Sequence, residues 1–124
     1  MAEDTAQNVE YMVVSVGTSY EPIVLDIQLL KPGKLLFLYT EESHDTMAKV
    51  IEYCVLSPTR YDKSIVSEVD PMDIYREIKG FYLRSGKPGK MYIDFTGGTK
   101  AMSAAAALAG AMIDVQMVYC STDD

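Results

Sequence analysis

The stretch that most constrains this chain is residues 90–114, KMYIDFTGGTKAMSAAAALAGAMID. Residues 91–95 are apolar apart from Asp94 and predict a buried β-strand. Thr96, Gly97, Gly98, Thr99 and Lys100 form a tight turn, and the alanine-rich run after it predicts a helix from near Thr99 to about Ile113. Two successive glycines let the backbone bend sharply and come close to another group. A turn that opens a helix presents unpaired backbone N–H groups at the positive end of the helix dipole. Such a turn suits phosphate, and Lys100 adds a mobile positive charge in the first helical turn. The plainer reading is a strand-to-helix reversal that needs glycine for its geometry alone.

Strand and helix signals alternate along the rest of the chain. Residues 11–16, YMVVSV, form a continuous apolar run, the pattern of a strand buried on both faces. Pro22 suits the start of a helix. Ile23, Leu25, Ile27, Leu29 and Leu30 make that helix apolar nearly all round, so it is expected to be well buried. Residues 34–40 predict a second buried strand. Residues 46–56 predict a helix capped by Ser43 or Asp45, with Met47, Val50, Ile51 and Cys54 on one stripe. Residues 63–70 give the weakest strand signal. Asp70 then caps a third helix opened by Pro71, whose apolar face is read as Met72, Ile74, Tyr75, Ile78 and Tyr82. A fifth strand follows at residues 115–120. Met47, Met72, Met112 and Met117 read as core filler.

Buried strands joined by helices make an α/β fold: a Rossmann-like three-layer sandwich, with a mainly parallel sheet of about five or six strands and helices on both faces. At 124 residues the chain reads as a single domain. In open sheets of this kind ligands bind beyond the carboxyl ends of the strands. Gly17, Thr18, Ser19 and Tyr20, then Thr40 and Glu41, then Asp70, then the turn at Thr96, Gly97, Gly98, Thr99 and Lys100 all fall on that one edge. The turns of the opposite edge, around Pro32 and Pro88, read as plain reversals.

Several classes drop out. A net charge of −7 argues against a general binder of DNA or long RNA, which needs a basic face. No apolar run is long enough to span a bilayer. Cys54 and Cys120 sit far apart in apolar stretches and read as free buried thiols, consistent with a cytoplasmic protein. The single histidine, His44, makes no zinc spacing with them. The glycine turn lacks the Walker A spacing, and Ala101 follows the lysine where a magnesium-binding Ser or Thr would stand. No G-x-G-x-x-G follows any strand. The first strand ends in Gly17, Thr18 and Ser19, not in the acidic residues of a phosphate receiver.

The run Asp94-Phe95-Thr96-Gly97-Gly98-Thr99-Lys100-Ala101-Met102, late in a small α/β chain whose first strand ends Val16-Gly17-Thr18-Ser19, resembles the CARF domain, the CRISPR-associated Rossmann-fold sensor. The resemblance implies a homodimer that binds a cyclic oligoadenylate, the second messenger of type III CRISPR antiviral signalling, across its two-fold axis. It further implies an effector domain, either fused elsewhere or absent, and needs no cofactor and no metal. On this likeness the ligand-binding residues are Gly17, Thr18, Ser19, Tyr20, Thr40, Glu41, Asp70, Thr96, Gly97, Gly98, Thr99 and Lys100. Cyclic tetra-adenylate is favoured over hexa-adenylate. Some members of the family also cleave the ring slowly, and Lys100, Ser19 and Thr18 match the positions credited with that activity. The residues alone leave a second class open, a nucleotide-dependent α/β enzyme using the same edge.

Overall fold

The computed structural model describes residues 9–67, 70–94, 100–113 and 116–120. Among these residues five strands alternate with four α-helices: β1 (Tyr11–Ser15), α1 (Glu21–Leu30), β2 (Lys34–Tyr39), α2 (His44–Tyr53), β3 (Tyr61–Ile65), α3 (Pro71–Arg84), β4 (Lys90–Asp94), α4 (Lys100–Ile113) and β5 (Gln116–Cys120). The strands form one sheet in the order β3-β2-β1-β4-β5. Every neighbouring pair is parallel, with Val13 opposite both Leu36 and Ile93 at the centre.

This order follows from crossover handedness. Right-handed connections that first walk outward from β1 to β3 place α1 and α2 on one face. The chain then returns past β1 to β4 and continues to β5, which puts α3 and α4 on the other. The two cores divide accordingly. Met12, Val14, Leu35 and Phe37 pack with Ile23, Ile27, Met47 and Val50 from α1 and α2. Val13, Leu36, Leu38, Met91 and Ile93 pack with Ile74, Ile78 and Phe81 of α3 and Met102, Ala106 and Ala109 of α4. Strands this apolar on both sides are stable only when helices cover both faces. Alanine at positions 105, 106 and 109 lets α4 lie close to the sheet.

Several expectations need correction. The third strand is Tyr61–Ile65, two residues earlier than the run 63–70. Among the described residues it pairs only with β2, and an edge strand tolerates the polar Asp62, Lys63 and Ser64 that weaken the apolar signal. The second helix spans His44–Tyr53 rather than 46–56. The first helix is not buried all round: Leu25 and Leu29 are 44% and 62% exposed, because its inner face is filled by Ile23, Asp26 and Ile27. Met72 and Met112 are exposed on the outer faces of α3 and α4, so only Met47 of the four methionines is seen as core; the side chain of Met117 lies outside the described residues. Phe81, fully buried, replaces Met72 on the inner face of α3. The Cys54 thiol is free but only half-buried, and that burial pushes its pKa up.

Candidate functional site

The strand order reverses between β1 and β4, since β2 and β3 lie to one side and β5 to the other. A crevice opens at the carboxyl ends of the strands at such a point, because the connections from the two central strands leave to opposite faces. The chain after β1 is Gly17, Thr18, Ser19 and Tyr20. The chain after β4 is the glycine turn, of which Thr96, Gly97, Gly98 and Thr99 lie outside the described residues. Lys100 is described: it is exposed and is the first residue of α4. The sheet therefore brings the end of β1, the end of β4 and the start of α4 at Lys100 to one edge.

A cleft of about 50 Å³ lies on this edge, lined by Val16, Gly17, Thr18, Thr40, Glu42, Ser43 and Met102. Its wall on the β2 side is built locally. Thr40 caps a 3-10 turn over Glu41–Ser43, and the buried Ser43 Oγ accepts from the Thr40 backbone N–H at 2.9 Å and donates to the Thr40 carbonyl at 3.3 Å. This closed pair fixes the exit of β2 and leads into α2. Ser43 thus acts as a turn residue bonded to Thr40 rather than as a side-chain cap of α2 itself. On the β1 side, the Val16 N–H donates to the Leu38 carbonyl at 2.9 Å and extends the pairing to the lip of the cleft. Thr18 and Ser19 are exposed there, and Gly17 is buried.

The remaining predicted residues divide. Glu41 is exposed at the β2 end. Asp70 caps α3, its Oδ1 accepting from the Met72 N–H at 3.1 Å, so one carboxylate oxygen is already used. The Tyr20 ring stacks on Tyr53, centroids 5.2 Å apart, with the Lys49 ammonium 5.1 Å from its centroid. The hydrogen bond with Tyr53, followed by its charge and that of Glu21, raises the Tyr20 phenol above its ordinary value. Tyr20 is therefore partnered by α2 and keeps its proton at neutral pH. Asp94 ends β4 fully buried, opposite Val14.

Sequence reasoning passed over Ser15, the last residue of β1, which is completely buried and whose Oγ has no hydrogen-bond partner among the described residues. The signal was present, one hydroxyl inside the apolar run YMVVSV. Glu42, Ser43 and Met102 were also not read as lining the cleft.

The electrostatics of the edge are mixed. Glu21, Glu41, Glu42, Asp45 and Asp70 are exposed there together with Lys100. An anion would be held by backbone N–H groups and Lys100, and the carboxylates would suit groups that donate hydrogen bonds. Among the described residues no set of three or more His, Cys, Asp or Glu side chains is placed to hold a metal ion. No helix among them is long and apolar enough to cross a membrane.

Order, crossovers and crevice define a Rossmann-like α/β domain. No family model and no curated protein matches the sequence. Among solved structures, the chain is similar to Can2 from Sulfobacillus thermosulfidooxidans in complex with cyclic tetra-adenylate, with a TM-score of 0.72 at 21% identity. The match covers 89% of this chain and 31% of the Can2 chain, so this chain spans about a third of that protein's length. At this identity the likeness establishes the fold.

Proposed function

We propose that this chain is a sensor domain that binds a cyclic oligoadenylate across the two-fold axis of a homodimer, in type III CRISPR antiviral signalling in the cytoplasm. The observation that carries the reading is the placement of the Gly17-Thr18 cleft and Lys100 on one strand edge, beside the reversal of strand order, in a fold shared with Can2. The tetra-adenylate in the Can2 structure favours that ring over hexa-adenylate.

A ring with two-fold symmetry needs only half its contacts from each protomer. In this reading Lys100, the Thr18 and Ser19 hydroxyls and the turn at Thr96, Gly97, Gly98 and Thr99 hold phosphates. Glu41 and Asp70 accept from adenine amino groups. The outer face of α4 supports the dimer. Residues 101–113 contain no charged residue, and Leu108 and Met112 are 56% and 54% exposed. In a chain of net charge −7 this is a face that a second copy approaches without charge repulsion. Two α4 helices packed in parallel would set both Lys100 residues at the same end, about 8–10 Å apart between axes.

Ring cleavage in such a site would use no metal. A ribose 2′-OH attacks the adjacent phosphorus, the 5′-oxygen leaves, and a 2′,3′-cyclic phosphate remains. Positioning supplies most of such an acceleration; Lys100 would stabilise the developing charge, with Ser19 and Thr18 orienting the phosphate. An effector domain, fused or separate, would read the bound state.

The test is a titration with cyclic tetra- and hexa-adenylate in EDTA. Submicromolar binding of the tetra-adenylate is expected, weakened at least tenfold in Lys100→Ala, as for loss of a hydrogen bond to a charged group. Linear products in EDTA, lost in Lys100→Ala, would establish cleavage. No binding of either ring would overturn the reading.

A further inference from the structure

Ser15 occupies the last position of the central strand, after Met12, Val13 and Val14. Its hydroxyl is fully buried, and its Oγ has no partner among the described residues. Leaving a buried hydroxyl unpaired is unfavourable, and native structures rarely tolerate it without a reason. Alanine or valine would fill the same position without that penalty.

Its place in the sheet suggests the reason. Strand alternation puts Ser15 on the same face as Val13, which packs with α3 and α4, whereas Val14 and Val16 pack with α1 and α2. Its opposite number on β2 is Leu38. The next residue of β1 on that face is Gly17, which has no side chain to cover it from the carboxyl edge. Gly17, Val16 and Met102 line the cleft directly beyond. At about 50 Å³ that cleft has room for a group of a few heavy atoms, and Ser15 directly precedes Val16 and Gly17 of its lining without lining it itself.

We propose that Ser15 is a binding residue of this site: its hydroxyl donates a hydrogen bond to a phosphodiester oxygen that enters the cleft over Gly17. The inference rests on the proposed reading of the site as a cyclic oligoadenylate pocket. Without a partner among the described residues, the hydroxyl gains one only with ligand, so part of the binding energy comes from relieving that unpaired state. An anionic oxygen is the acceptor, because hydrogen bonds to charged groups are about twice as strong as those between neutral ones.

The experiment compares the parent with Ser15→Ala in two measurements, thermal unfolding of the free protein and binding of cyclic tetra-adenylate. Removing an unpaired hydroxyl is expected to raise the melting temperature by about 2–5 °C, while affinity for the ring falls about tenfold or more. A variant that is more stable yet binds the ring as tightly as the parent would overturn the inference and leave the sensor reading intact. A parent that does not bind the ring at all would overturn the sensor reading, and the role of Ser15 with it. A variant with a lowered melting temperature would show that the hydroxyl is paired in the free protein, which also contradicts the inference.

Discussion

Replacing Ser43 with alanine tests how the cleft is held. Ser43 is 4% exposed, and its hydroxyl bonds both the N–H and the carbonyl of Thr40. Alanine removes one acceptor and one donor at a turn whose interior water enters poorly. Loss of such a cap costs about 1–2 kcal/mol. For a chain of 124 residues each kcal/mol corresponds to roughly 3–5 °C, so the melting temperature should fall by about 3–10 °C. The assay is thermal unfolding followed by far-ultraviolet circular dichroism. The same variant loosens the wall formed by Thr40, so ring binding should weaken modestly even though Ser43 is not assigned a ligand contact. A melting temperature unchanged from the parent would refute the reasoning, since it would mean that the closed Thr40–Ser43 pair contributes nothing to the exit of β2.

Three further outcomes are expected. Phe81→Ala should destabilise the protein by about 3–5 kcal/mol, because the ring is fully buried and packs edge-on against Tyr11 with centroids 6.2 Å apart; denaturant unfolding measures this. In a Cys120→Ser background, alkylation of Cys54 should rise with pH through a midpoint above that of a free thiol, since burial favours the neutral form. The linked stability contribution is complete below the thiol's unfolded pKa and is lost as pH rises through the higher folded value. Ala104→Cys should form an intermolecular disulfide under mild oxidation, because parallel α4 helices related by a two-fold axis would place the exposed position 104 opposite its own copy; a monomeric product would contradict that arrangement.

The central strands and their buried runs were legible because apolar continuity is a strong signal when helices cover both faces. Residues 11–16 and 34–40 fall on β1 and β2 within a residue or two of their ends. Asp70 and Pro71 marked the start of α3, since a capping carboxylate followed by proline has a local mechanism that needs no tertiary context. The edge strand β3 was misplaced because its polar residues carry little periodicity and its pairing with β2 is decided by the sheet. The exposure of Met72, Met112, Leu25 and Leu29 was illegible for a related reason: apolar composition does not say which stripe of a helix turns inward.

The site shows the same division. Collecting Thr18, Ser19, Thr40, Glu41, Asp70 and Lys100 on one edge required only alternation and handedness. The partners of these residues are decided by tertiary packing. Tyr20 is held by Tyr53 and Lys49 of α2, and Asp70 is committed to the Met72 N–H. Ser15 was passed over because a single serine in a strand reads as neutral until its burial and its lack of a partner among the described residues are seen together.

In the proposed function each chain holds half of a two-fold-symmetric ring site. Isothermal titration calorimetry of the protein with cyclic tetra-adenylate measures this most directly. Submicromolar binding with one ring for every two chains is expected. A stoichiometry of one ring per chain, or no heat of binding, would contradict it.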